Sequence, residues 1–183
     1  MEWLMSLDGD ILLWIQENIR KEFLSPAVER ITHLGDSGWF WIALLAFMLF
    51  FSKCRKTAVT GLLAVLIGFL ITNLWLKNMV ARVRPYEIVE GLQLIGNRAV
   101  DFSFPSGHST CSVAASTVLF CRFPKWIGAP ALVLALLICF SRLYIGIHYP
   151  TDVMAGILIG MASAFLAMRI MRNWEGKDQA VLK

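Results

Sequence analysis

The chain has 183 residues, 57% of them hydrophobic and 16% charged, with 17 Lys and Arg against 13 Asp and Glu. Soluble domains average about 45–50% apolar and about 25% charged residues, so the composition points to a one-domain integral membrane protein. It argues against a disordered chain, and a net charge of only +4 gathered in no single stretch argues against a nucleic-acid binder.

Residues 1–36 read as a distinct N-terminal segment, in which Asp8, Asp10, Glu17 and Arg20 break up short apolar runs. Ile11, Trp14, Ile15, Asn18 and Ile19 recur at helical spacing. They predict an amphipathic helix that lies along the membrane surface or caps the bundle. Glu2 and the absence of a basic start argue against a cleaved signal peptide.

Residues 37–172 read as the membrane domain. A spanning helix needs ~20 mostly apolar residues to cross a ~30 Å hydrocarbon core. Stretches 39–51, 57–76, 109–121, 126–140 and 153–168 supply about five spans, or six if the N-terminal stretch crosses. The third is rich in Ser, Thr and Ala, which let helices approach closely and predict a span buried among its neighbours. Residues 173–183 form a short polar tail. The expected fold is therefore an all-α membrane bundle with an N-terminal interfacial helix. Cys54, Cys111, Cys121 and Cys139 form no CxxC pair and read as free, buried thiols.

With five spans, the segments 52–56, 122–125 and the tail after Met168 share one side of the membrane. They carry nine Lys and Arg against two Asp and Glu, while the opposite side carries eight against eleven. Tight basic clusters beside spans mark the cytoplasmic face, so the loop 77–108 is expected outside.

Three polar clusters gather at that outer face. The first runs from Lys77 through Arg82 to Arg84 and Pro85, where the proline ends the helix and a two-turn spacing lets Lys77 and Arg84 share a face if the helix continues. The second, Pro105-Ser106-Gly107-His108, opens the third span; its free backbone N–H groups make an anion site, and His108 exchanges protons near neutral pH. The third holds Ser141, Arg142, His148, Pro150 and Asp152, with Asp152 in the first turn of the last span and four residues after His148. Taken singly, these have bland readings: a snorkelling basic belt, a Ser N-cap, a structural His–Asp hydrogen bond. Taken together, two His, one Asp, three cations and a helix N-terminus suit a phosphoryl group. Metal-assisted hydrolysis fits less well, because the cations repel a divalent ion. A Ser-His-Asp hydrolase built on Ser106 leaves the cations without a task.

In these residues the sequence resembles the type 2 phosphatidic acid phosphatase superfamily, whose signatures are K-x6-RP, PSGH and SR-x5-H-x3-D. They stand here as Lys77…Arg84-Pro85, Pro105-Ser106-Gly107-His108 and Ser141-Arg142…His148…Asp152. The resemblance implies that His148 is the nucleophile, forming a phosphohistidine, with Asp152 orienting it and His108 as general acid. Lys77, Arg84, Arg142, Ser106 and Gly107 would bind the phosphoryl oxygens, with no cofactor and no metal. His33 and Arg82 fall outside the signatures; His33 reads as structural or interfacial, Arg82 as a secondary phosphate contact. The implied activity is a membrane phosphatase of the bacterial plasma membrane acting on a lipid phosphate or pyrophosphate, undecaprenyl pyrophosphate being slightly favoured. Phosphatidylglycerophosphate and phosphatidic acid are the alternatives. A lipid phosphotransferase of the same superfamily and a non-enzymatic membrane protein are the other readings. No nucleic-acid partner is expected.

Overall fold

A computed structural model describes the backbone of residues 2–181 and the side chains of residues 3–173. The side chains of the expected tail beyond Asn173 lie outside the described residues. Among the described residues every regular element is helical. In order these are α1 (Glu2–Asn18), α2 (Ser25–His33), a 3-10 turn (Asp36–Gly38), α3 (Trp39–Met48), α4 (Arg55–Phe69), a π-helical segment (Leu70–Leu76), α5 (Lys77–Val80), α6 (Pro85–Ile88), α7 (Gly107–Arg122), α8 (Lys125–Tyr144) and α9 (Pro150–Val181).

Among the described residues, three helical stretches are long and apolar enough to cross a membrane: Arg55–Ile88, Lys125–Tyr144 and Pro150–Asn173. The expected first span is shorter, with α3 only ten residues long, or about 15 Å of rise. The Ser- and Ala-rich stretch forms α7, which packs against α4, α8 and α9. Every residue from Ser109 to Leu119 is buried there. Small residues make that enclosure possible. A Cβ on Gly156 would come within 2.6 Å of the Ser106 carbonyl, and one on Gly160 within 2.6 Å of that of Thr110. Polar side chains on α7 are paired across its contacts: Trp41 Nε1 donates to Ser112 Oγ at 2.9 Å, and the Thr72 and Thr110 hydroxyls lie 3.1 Å apart.

Two local expectations change. The helix carrying Lys77 does not continue to Pro85: it stops at Val80, with Ala81 in the left-handed region at φ 48° and Arg84 extended. Lys77 and Arg84 therefore share no helix face. In α1 the buried positions are Asp8, Gly9, Leu12 and Ile15, whereas Trp14 is exposed. The inward face is thus rotated from the Ile11–Trp14–Ile15 stripe, and it carries an acid. Of the four free thiols, Cys111 and Cys139 are buried, Cys54 is half-buried and Cys121 is exposed, contrary to expectation.

Candidate active site

Each of the three sequence clusters lies where a long helix begins or ends, and the fold brings all three together. Pro150 starts α9 and Asp152 sits in its first turn. The α9 start approaches the α7 start directly, since the Ser106 amide donates to the Asp152 carbonyl at 3.1 Å. Ser106 caps α7: its Oγ accepts from the Ser109 amide at 3.4 Å and the Ser109 hydroxyl at 3.0 Å. The Gly107 and His108 amides, at the first two helical positions, have no acceptor within the helix.

Burial and hydrogen bonding define the His148–Asp152 pair. His148 is 1% exposed and Asp152 0%, with Nδ1 3.5 Å from Oδ2. That same oxygen accepts from Ser103 Oγ at 2.5 Å and the Tyr149 amide at 2.9 Å. Nε2 lies 3.4 Å from an Arg84 NH group. A guanidinium only donates, so Nε2 faces it as an acceptor and Nδ1 carries the hydrogen towards Asp152. Burial pushes His148 down to about 3; Asp152 opposes this, while the Arg84 and Arg142 charges add to it. The imidazole is neutral near pH 7.

A second pair stands more openly. His108 Nε2 lies 2.9 Å from Asp36 Oδ1, and the other Asp36 oxygen is 2.7 Å from His33 Nδ1. Burial lowers His108 to about 4, opposed by its hydrogen bond to Asp36 and reinforced by Arg142. Asp36 is held at about 2, first by the His108 hydrogen bond and against the effect of burial. His108 lines two cavities. One, of about 160 Å3, is lined by Asn73, Lys77, Asp101 and Gly107; the other, of about 250 Å3, by Thr32, His33, Asp36 and Arg142.

The cations surround these imidazoles. Lys77 pairs with one Asp101 oxygen, and Arg84 holds the other at 2.5 Å. Arg84 also donates to the Asp101 and Ile147 carbonyls, each at 2.9 Å. Burial would raise the Asp101 carboxyl, but Lys77 and Arg84 together outweigh it and hold it at about 2. Arg142 is buried and donates to Thr32 Oγ1 at 2.6 Å, while its Nε has no partner. Asn73 Oδ1, facing Gly107, is likewise buried and unpartnered.

Several residues of this site carry no spacing signal. Asp101 and Ser103 sit in a loop and Asp36 in the 3-10 turn, all outside the signatures, and Asp8 lies on the N-terminal helix. Arg82 takes a different place from the phosphate contact expected of it. Its guanidinium reaches Asp152 Oδ1, Thr151 Oγ1 and Asp8 Oδ2, each at 2.7 Å, and stacks 3.8 Å from the Tyr149 ring centre. Asp8 completes the link by accepting from the Thr151 amide and hydroxyl. The one available hint was an acid on an otherwise apolar helical stripe.

Residues 58–175 match the sequence profile described as the PAP2 superfamily. An undecaprenyl-diphosphatase of Sulfolobus acidocaldarius is 32% identical over 132 residues, which cover 72% of this chain and 64% of that protein. The chain thus spans a little under two thirds of that relative's length. Phosphatidylglycerophosphatase B of Bacillus subtilis is 33% identical over 162 residues, covering 81% and 75% of the two chains. Among solved structures, Aquifex aeolicus LpxE superposes with a TM-score of 0.78 at 27% identity, over 87% of this chain and 93% of that one.

Proposed function

The chain belongs to the PAP2 superfamily, and from that premise we propose that it is a membrane lipid phosphatase working through a phosphohistidine on His148. The observation that carries this reading is the buried His148–Asp152 pair under Arg84, next to an Arg142 whose Nε has no partner. A buried guanidinium N–H without an acceptor is costly, and a phosphoryl oxygen is a fitting one.

In this mechanism the phosphoryl group takes the place of the Asp101 carboxylate on Lys77 and Arg84. Release of Arg84 from Asp101 frees it to move with the phosphate and uncovers Nε2 for attack. Arg142 and the Gly107 and His108 amides hold the remaining oxygens, where charge builds in the transition state. Nε2 bonds to phosphorus as the bond to the leaving oxygen breaks, and Asp152 stabilises the imidazolium that forms. His108 delivers the proton to the leaving oxygen. It must first gain that proton, and the dianionic substrate next to it favours the charged imidazole that burial alone disfavours. Water then attacks the phosphohistidine with His108 as base, returning His148 and releasing phosphate. The three cations make the site a poor host for a divalent ion, so turnover is metal-independent.

Asp152 is positioned from its other side. Arg82 ties it to Asp8, so α1 serves as a brace for the pair. The favoured substrate is a polyprenyl pyrophosphate, undecaprenyl pyrophosphate first. A relative bearing that name supports it, and phosphatidylglycerophosphate is the second choice on the same ground. The loop charges support a site on the outer side of the membrane, and a bacterial plasma membrane is the proposed location. Purified protein with EDTA, given a panel of both lipids and phosphatidic acid, is expected to release phosphate fastest from the pyrophosphate. Phosphate release that requires added metal would overturn the mechanism; equal rates on all lipids would overturn the ranking.

A further inference from the structure

The end of the bundle away from the His–Asp pairs carries a second cluster of cations. Arg122 ends α7, and Arg169 and Arg172 lie 17 and 20 residues after Asp152 on α9, about 25–30 Å along the helix axis. The three line one cavity of about 450 Å3 with Phe165 and Met168. Their setting is the reverse of the active site. There, Lys77, Arg82 and Arg84 each hold an Asp carboxylate. Here, among the described residues, none of the three arginines has an acidic partner, and all are exposed.

Phe165 also lines a second cavity, of about 360 Å3, between α7, α8 and α9. Val113, Leu132, Leu136, Ile157 and Met161 make its wall, which is almost entirely hydrocarbon. Leu136 and Met161 are exposed and so face the bilayer along two of the candidate spans. A cationic chamber thus adjoins an apolar one, with one side chain common to both. That is the shape and polarity of a phospholipid: a phosphate at one end and an acyl chain at the other.

We propose that this end of the bundle is a binding site for one anionic phospholipid, its phosphate held by Arg122, Arg169 and Arg172 and one acyl chain laid in the Val113–Phe165 groove. Basic pockets between spans select anionic head groups, and three arginines with no acidic partner among the described residues give this one its charge preference. A soluble anion makes no use of the apolar chamber, and a zwitterionic lipid brings a cation into the basic one. The bound lipid bridges α7 and α9, the helices that carry His108 and Asp152 at their other ends. A phosphodiester such as phosphatidylglycerol is no substrate of the active site, so with that probe this inference stands apart from the proposed activity.

The test uses full-length protein in detergent, titrated separately with phosphatidylglycerol, phosphatidylcholine and inorganic phosphate, with bound lipid counted by native mass spectrometry. Phosphatidylglycerol is expected to bind one-to-one and raise Tm, and phosphatidylcholine to do neither. Any shift from inorganic phosphate comes through the active site and persists in Arg122→Gln/Arg169→Gln/Arg172→Gln. In that triple variant phosphatidylglycerol affinity falls on the order of a hundredfold while phosphatase turnover is unchanged. Leu136→Trp, which fills the groove at an exposed position and keeps every arginine, also loses the lipid. Equal binding of phosphatidylcholine, or full phosphatidylglycerol affinity in either variant, overturns the proposal. Phosphate bound at the arginines with no lipid bound there does so too.

Discussion

The two His–Asp pairs are chemically alike and sit in unlike surroundings. His148 and Asp152 have side chains 2% and 0% exposed; those of His108 and Asp36 are 18% and 51% exposed. The buried carboxylate receives Ser103, the Tyr149 amide and Arg82, so its orientation is fixed from several directions. The open one is shared by two imidazoles, His108 and His33, at the rim of a cavity. A nucleophile benefits from the first setting, which keeps it neutral, oriented and dry. A proton donor to a departing group benefits from the second, where the proton is replenished from solvent. Burial lowers both imidazoles, but only His108 is open to solvent, where water can restore its proton.

The contrast predicts graded losses. His148→Asn removes the proposed nucleophile and is expected to cost about 1,000-fold or more in turnover on every substrate. Phosphate-release assays check this, and activity within tenfold of wild type would remove the reading. His108→Gln costs roughly 100-fold or more on a lipid phosphate, but far less on an aryl phosphate whose leaving group needs no proton. Equal losses on both substrates would deny His108 the role of acid. Arg82→Lys and Asp8→Asn loosen Asp152 without touching substrate. Both are expected to lower kcat about tenfold with KM little changed, a split read from full saturation curves. Asp101→Asn frees Lys77 and Arg84, so inorganic phosphate should inhibit several-fold more tightly; weaker inhibition would show that Asp101 orders the cations rather than occupying them.

The smallest effect is on stability. Both imidazoles lie below the ordinary value of 6.5 in the folded protein. Between about pH 6.5 and 4 the unfolded chain therefore binds more protons than the folded one. Their contribution is complete above pH 6.5 and declines on acidification, before most carboxylates titrate. Thermal denaturation in detergent is expected to show Tm falling over that window, with a shallower slope in His148→Asn.

The legible and illegible parts of the site divide along the same line. His148 and Asp152 are four residues apart across a helix start, a relation that local spacing encodes. His108 and Asp36 are 72 residues apart, and Asp36 belongs to a turn with no periodic pattern. Asp101 was hidden similarly, since an acid in a loop announces no partner until the fold delivers Lys77 and Arg84 to it. Hydropathy marked the stretches that became α3, the α4–π segment, α7, α8 and α9. It missed the inward place of Asp8 on α1, where the ion pair with Arg82, 74 residues onward, turns the acid inward and Trp14 lies outside. It also could not reveal the break at Ala81, because no Gly or Pro marks that left-handed residue.

In the proposed function the phosphoryl group passes through His148. Rapid acid-free quenching of the protein turning over a lipid phosphate labelled with radioactive phosphorus tests it most directly. The account predicts a transient protein-bound label, stable to alkali and lost in acid, that maps to the peptide containing His148 and vanishes in His148→Asn. A label on another residue, or full turnover in His148→Asn, would contradict it.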